Sequence, residues 1–388
     1  MLNEGEEYKI RPINNLALRE IPRCELTGVR ASVELITRDC VMFYASEELA
    51  EQSWFGIMKK ISHLLAPLIQ AAPIVGTAEE RDRRAKMTIL SKRSLSEFCL
   101  VEASNLLSVQ KFQLAIPAAS QALRFSSEID GERSLAVVEP YLILAQSYLG
   151  LKNISKSEEY LALARWIVLN SSECSDPIRS RMYMLMGRVN TSQGKFEEAK
   201  PEFANCIYYM SKCCGAESVA VSLGYFRLGD VFLAQGNIDG ALAFFDKVVD
   251  IWYKYLTNLH TPIAKEIADA SSKAQIGMET LTEEQLADGR AQLEQILETR
   301  SRLLGHTHIA TGEVQYTIGI FEFFLLGNER AAEAMCAAAQ KTYESTLGEA
   351  HASSQHVHGI LCMIRSQHLA TEQPHPILTM GQSLSSSD

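Results

Sequence analysis

The sequence predicts an all-α chain of stacked helix pairs, a solenoid. Apolar residues recur at helical spacing around short polar turns, as in "GYFRLGDVFLAQGNIDGALAFFDKVVDIW", Gly224 to Trp252, which breaks only at Gly236-Asn237. The pattern returns every 42 residues. The 388 residues are 47% hydrophobic and 22% charged, with only 11 prolines and 22 glycines, so most of the chain can order around a large core.

The elements follow from the repeat columns. Stepping back by 42 from Ala241 reaches Ala199, Ser157 and Ala115, all small. Gly229 gives Gly187, Ala145 and Ala103, also small. Phe245 gives Phe203, Leu161 and Ala119; Val248 gives Cys206, Ala164 and Ala122; Tyr225 gives Tyr183, Tyr141 and Cys99. Each copy reads as a helix A with a small residue where its partner crosses, a turn ("LGLKN", "TSQGK", "AQGN"), and a helix B with its own small residue. Such a pair cannot bury its face alone, and stacked neighbours bury it together. Ahead of the first copy, "TAEE" at 77–80 is a capping box, Thr77 as cap and Glu80 reaching back, opening a long helix through Glu97. Residues 262–304 read as a further pair broken by Gly277 and "LTEEQLADG", and 316–340 as another with Gly319 and Ala332 at the crossings. A closing helix is expected over about 352–369. The domain reading is a module at 1–70, the solenoid at 77–369, and a Pro- and Ser-rich flexible tail at 370–388.

These columns resemble the tetratricopeptide repeat, which wants small residues at positions 8 and 20 and large apolar ones at 4, 11 and 24. Tyr225, Leu228, Gly229, Phe232, Ala241 and Phe245 fit it fully, while Asn190 and Glu102 stand in apolar columns. The long period and the loops "DGERSLAVV" and "CGAESVAVS" resemble kinesin-light-chain-type repeats, and "LLGHTHIAT" and "TLGEAHASS" match each other further on. The resemblance implies a protein-binding groove read at the fifth and ninth positions of helix A: Leu100, Leu142, Met184 and Phe226, then Ser104, Gln146, Arg188 and Asp230. The Lys and Asn carboxylate clamp of chaperone-binding relatives is absent. A floor of Leu, Met and Phe suits an apolar helix or extended peptide, from a partner or from the chain's own tail. The alternative is that these residues pack helix on helix.

Residues 22–69 are not repeat-like, with β-branched runs and then an amphipathic helix around 47–66. The order of parts, with "EFCLVEAS", "AIPAASQALRF", "VEPYLILAQSYLGL", "SEEYLALARWIVL" and "GYFRLGDVF", resembles the zinc finger MYND domain-containing protein twelve family of ciliary proteins, well over about 22–260 and loosely beyond. The resemblance implies an N-terminal MYND module, which in the family holds two zinc ions on seven cysteines and a histidine. Laid on that pattern with one inserted residue, Cys24 meets the first ligand. Thr27, Ile36, Asp39, Ala45, Leu49, Met58 and Ser62 take the others, and Cys40 is one place off. Zinc needs four S, N or O donors per site, so the module is expected to be metal-free. Ile36, Leu49, Trp54, Met58 and Ile61 would supply an apolar core instead.

Net charge is −10, which disfavours general nucleic-acid binding. No run of eighteen apolar residues suggests a membrane span, and "MLNEGEEYKIRP" lacks a secretory apolar core. Nine scattered cysteines fit reduced thiols in cytosol. His306, His308, His351, His356 and His358 cluster near the end, but His308 and His351 occupy matching loop positions, which explains them without a metal. Asp230, Asp239, Asp246 and Asp250 read as a solvated helix face. Cys213-Cys214 reads as half-buried filler. Arg81, Arg83, Arg84, Lys86, Lys92 and Arg93 form the best basic cluster, a contact for an acidic surface such as a tubulin tail. Interleaved Glu79, Glu80 and Asp82 make a charge-laced exposed helix the plainer reading. No Walker loop, His-Glu-x-x-His, Cys-x-x-Cys or Gly-x-Ser-x-Gly appears, and no room exists for a SET domain. The expectation is a scaffold without catalysis or cofactor.

The family resemblance further implies a place in the motile ciliary or flagellar axoneme, on a single-headed inner dynein arm. The implied partners are another tetratricopeptide-repeat protein, a dynein heavy chain tail and tubulin. The alternative is a cytosolic cargo or assembly adaptor of kinesin-light-chain type.

Overall fold

Alternating β-branched and aromatic residues make the N-terminal stretch a sheet. In the computed structural model, which describes residues 7–13, 22–69, 77–260 and 281–371, β1 (Tyr8–Pro12), β2 (Val33–Thr37) and β3 (Val41–Tyr44) pair antiparallel in that order. Val33 stands opposite Tyr44 and Leu35 opposite Met42, so one face carries four buried side chains. Ser46 caps α1 (Glu47–Ser53) by accepting from the Leu49 amide. The helix passes through a π-helical turn, Trp54–Met58, into α2 (Lys59–Ile69). That turn presses Gly56 onto the next helices, where an added Cβ would lie 2.5 Å from the Leu114 carbonyl oxygen.

Trp54, Met58 and Ile61 are buried and share one core with Leu95, Cys99, Ala115 and Ala119 of the first helix pair. Ile36 is buried and Leu49 half-buried. The positions that match zinc ligands in the resembling family carry the wrong chemistry. Met58 is a thioether packed in that core, Ile36 is a buried aliphatic side chain on the other face of the sheet, outside it, and Ser62 is a buried hydroxyl. Cys40 bonds to Thr37, whose Oγ1 is 3.4 Å from the thiol. Among the described residues no group of three His, Cys, Asp or Glu could hold a metal, so these residues do not fit a zinc ion.

The chain forms two compact units, residues 1–213 and 214–388. In the first, helices run α3 (Ala78–Ser108), α4 (Phe112–Asp130), α5 (Val138–Gly150), α6 (Ile154–Asn170), α7 (Asp176–Ser192) and α8 (Phe196–Cys214). Thr77 and Glu80 form the expected capping box, and residues 77–91 are exposed throughout. The small columns are crossing points: Ser157 donates to the Ala145 carbonyl at 2.8 Å, and a Cβ at Gly187 would lie 2.6 Å from the Phe203 ring.

The second unit comprises α9 (Val219–Ala234), α10 (Ile238–His260), α11 (Glu283–Leu304), α12 (Ile309–Phe324), α13 (Glu329–Leu347) and α14 (Ala352–Thr371). The turns repeat a backbone signature: Gln110, Lys152, Gly194 and Gly236, each 42 residues from the last, take φ of 57, 60, 75 and 77°. That left-handed residue ends helix A, and only Gly adopts it without cost.

One expectation is corrected. "LTEEQLADG" is not the break of a pair but the start of α11, where Thr282 and Gln285 form a second capping box. Gly289 in that stretch is small because the Trp252 indole lies against its backbone. Gly277 falls outside the described residues, as do the other residues of 261–280. The closing helix runs to Thr371, two residues past its expected end, and the rest of the tail, 372–388, lies outside the described residues.

Candidate functional site

In the first unit the groove positions are only partly open. Leu100 lines a cavity of about 500 Å³ with Arg93, Glu97, Glu139 and Ile178. Leu142, at 1% exposure, belongs to the core and not to a groove floor. Met184 and Arg188 are half-buried. Gln146 accepts from Arg181 at 3.2 Å, and Arg181 also reaches Glu139 at 3.7 Å, so neighbouring A helices are cross-linked along this face. Asn190, the departure from the apolar column, sits half-exposed at a hollow of about 490 Å³ shared with Arg165, Met186 and Glu202, where no apolar residue is required.

In the second unit the equivalent face is closed by the chain itself. Phe226 is 2% exposed, lies tilted 5.8 Å from Phe245 and shares its core with Leu293 and Ile296 of α11, so it is not an open groove floor. Asp230 lies between Arg227 at 3.3 Å and Gln295 of α11 at 3.4 Å, and Ser222 donates to Gln292 at 3.3 Å. Burial lifts the Asp230 carboxyl above the ordinary aspartate range, against the pull of Arg227. The aspartates are therefore not one solvated face. Asp239 is exposed, Asp250 pairs with Lys254 at 3.1 Å, Asp230 is tucked under α11, and Asp246 receives the fully buried Arg300 guanidinium.

An open cleft runs along the other side of α12. Its polar part, about 450 Å³, is lined by Asp246, Asp250, Tyr253, Glu313, Tyr316 and Tyr343, with His356 of α14. Tyr253, Tyr316 and His356 also border a smaller hollow of about 270 Å³ that ends on Ile320, Phe324 and Ile360. The Tyr316 hydroxyl lies 3.2 Å from His356 Nδ1, with the Tyr253 ring 6.1 Å away. Burial pushes the Tyr316 and Tyr343 hydroxyls well above the usual tyrosine value. Desolvation, with Asp246 adding, outweighs Arg300 and raises Glu313. The sequence reading missed this cleft. Its one signal was the matched pair "LLGHTHIAT" and "TLGEAHASS", which fixes the start of α12 and α14. His308 and His351 have the same role there, their Nδ1 atoms accepting from the Ala310 and Ser353 amides at 3.2 Å. Cys213 and Cys214 are exposed, not half-buried, because they end α8 on its outer side.

A tetratricopeptide-repeat family model matches residues 180–210 and 224–251. Among solved structures, BtubC (BKLC) from P. vanneervenii is similar at 14% identity, covering 76% of this chain and 98% of its own, with a TM-score of 0.30. A putative kinesin light chain of Podosopora anserina with nearly identical TPR-like repeats is similar at 13% identity, covering 66% and 95%, with a TM-score of 0.34. A Rap protein complexed with competence and sporulation factor is similar at 14% identity, covering 84% and 76%, with a TM-score of 0.43. The fold class is an all-α, tetratricopeptide-type solenoid of helix pairs, a class that serves protein interaction.

Proposed function

We propose that this chain is a structural subunit of the motile ciliary or flagellar axoneme, associated with a single-headed inner dynein arm and helping to anchor it on the doublet microtubule. Its partners in that setting are another tetratricopeptide-repeat protein, the tail of an inner-arm dynein heavy chain, and tubulin through the basic stretch of α3. The observation that carries the reading is the set of motifs at 97–104, 115–125, 138–151, 157–169 and 224–232, which resemble the zinc finger MYND domain-containing protein twelve family far more specifically than a repeat consensus does. The N-terminal sheet and α1–α2 are, in this reading, a MYND module whose metal sites have been replaced by the core around Trp54, Met58 and Ile61. The repeats support the coarser part of the proposal, a protein-interaction scaffold. Detergent extraction of isolated flagella followed by high salt tests it. An arm subunit stays with the axoneme through detergent and leaves with salt. Release with the soluble matrix refutes the axonemal placement and favours a cargo or assembly adaptor.

A further inference from the structure

We propose that the cleft along α12 binds an extended peptide carrying a lysine or arginine next to an apolar residue. This rests on the chain being a protein-binding scaffold and names the chemistry of one partner segment. The cleft has two unlike ends joined by aromatic walls. At one end stand three carboxylates, Asp246, Asp250 and Glu313; at the other the lining is Ile320, Phe324 and Ile360. Tyr253, Tyr316 and His356 border both parts, so one short segment can span them.

Charge accounting selects the occupant. Asp250 is matched by Lys247 at 3.4 Å and Lys254 at 3.1 Å. Asp246 is matched by Arg300, but that guanidinium is buried behind the wall, while the Asp246 side chain stays 63% exposed. Glu313 is partly desolvated but still reaches solvent; it feels Arg300 and His308 and, among the described residues, makes no ion pair. A second cation at the mouth would therefore meet a carboxylate without an ion pair and another beside it, and the half-exposed Tyr253 ring offers a face to an ammonium or guanidinium. The chain's own residues 372–388 contain no Lys or Arg, so they lack the complementary charge. The same carboxylates repel an acidic peptide.

The test uses the full chain and three fluorescent probe peptides, GSKLLSG, GSELLSG and GSKSSSG, titrated by anisotropy. The first is expected to bind at least about tenfold more tightly than either control. Glu313→Lys should remove about tenfold of that binding, and Glu313→Gln a smaller part, with helicity unchanged by circular dichroism. Glu298→Lys, an equal charge change on the exposed side of α11, should leave it intact. No binding up to millimolar probe, equal affinity for the Lys and Glu probes, or insensitivity to both Glu313 variants overturns the inference. Such a failure with the chain still retained on detergent-washed axonemes sinks this inference alone. Probe selectivity without axonemal retention sinks the axonemal placement alone.

Discussion

Gly229 and Gly359 offer one substitution with opposite expected signs in the same unit. A Cβ at Gly229 would lie 2.5 Å from Cε1, 2.8 Å from Cδ1 and 3.2 Å from Cζ of Phe245. Carbon atoms in good contact are about 3.5–4.0 Å apart, so the ring would have to retreat by about 1 Å. Phe245 is 1% exposed and has little room to do so. Overpacking of this kind costs about 1–3 kcal/mol, whereas alanine gains about 1 kcal/mol over glycine in helix propensity. Gly229→Ala is therefore expected to destabilise the second unit by up to roughly 2 kcal/mol. At Gly359 of α14 nothing lies within 4 Å of an added Cβ, so Gly359→Ala should stabilise by about 1 kcal/mol. Adding Phe245→Leu to Gly229→Ala should cost less than the sum of the single changes, because the shorter side chain vacates the crossing. Urea unfolding followed by amide exchange of peptides from α9, α10 and α14 reads all three. Stabilisation by Gly229→Ala, or strict additivity with Phe245→Leu, would refute the view that small columns mark helix crossings.

Lys152 adopts the left-handed conformation that Gly194 takes in the next copy, so Lys152→Gly should stabilise α5–α6 by roughly 0.5–1 kcal/mol and Gly194→Ala should destabilise α7–α8 by a similar amount, both measured by thermal melts. Asp230 has its proton affinity raised by burial, so the folded state binds more protons and stability falls as pH rises above the ordinary aspartate value of about 4. Asp230→Asn should therefore stabilise the second unit at neutral pH, with the gain fading below about pH 4 in pH-dependent urea titrations. Thr77→Ala removes the cap of a helix whose first turns are exposed, so exchange at 78–91 should quicken roughly fivefold for a loss of about 1 kcal/mol while the melting temperature stays put. Burial pushes the Cys206 thiol up to about 11 and those of Cys99 and Cys336 up to about 12, so maleimide at neutral pH should label the exposed Cys213, Cys214 and Cys362 and spare those three until unfolding.

The parts of the fold visible in the sequence are those where backbone geometry leaves a residue no choice. Helices crossing at Gly187 and Gly229 leave little room for a side chain, so the small columns announce the pairs. The cap at Thr77 is likewise written in four residues. The N-terminal core residues Trp54, Met58 and Ile61 were legible from their spacing, but the π turn between them was not. It coincides with a close approach of Gly56 to the Leu114 carbonyl, 58 residues away. "LTEEQLADG" misled for the same reason: Gly289 is a packing glycine set by Trp252, not a helix breaker.

The groove was the least legible part, because a column fixes which way a residue points and not what covers it. Counting from the crossing glycines Gly229 and Gly319, Phe226 and Tyr316 occupy the same place in helix A. Phe226 lies in one core with α11, whose Gln295 bonds Asp230 one turn on. Tyr316 belongs to the same core at 3% exposure, but it borders the cleft, with Glu313 one turn before it and His356 across from it. The two positions differ in what lies over them: α11 packs on α9, with Leu293 and Ile296 in its core and Gln292 and Gln295 bonded to it. It closes that surface and leaves the far side of α12 uncovered. Partner contacts in the second unit should therefore be sought at Glu313 and Tyr253, and a substitution on the buried face of α9 should act through stability alone.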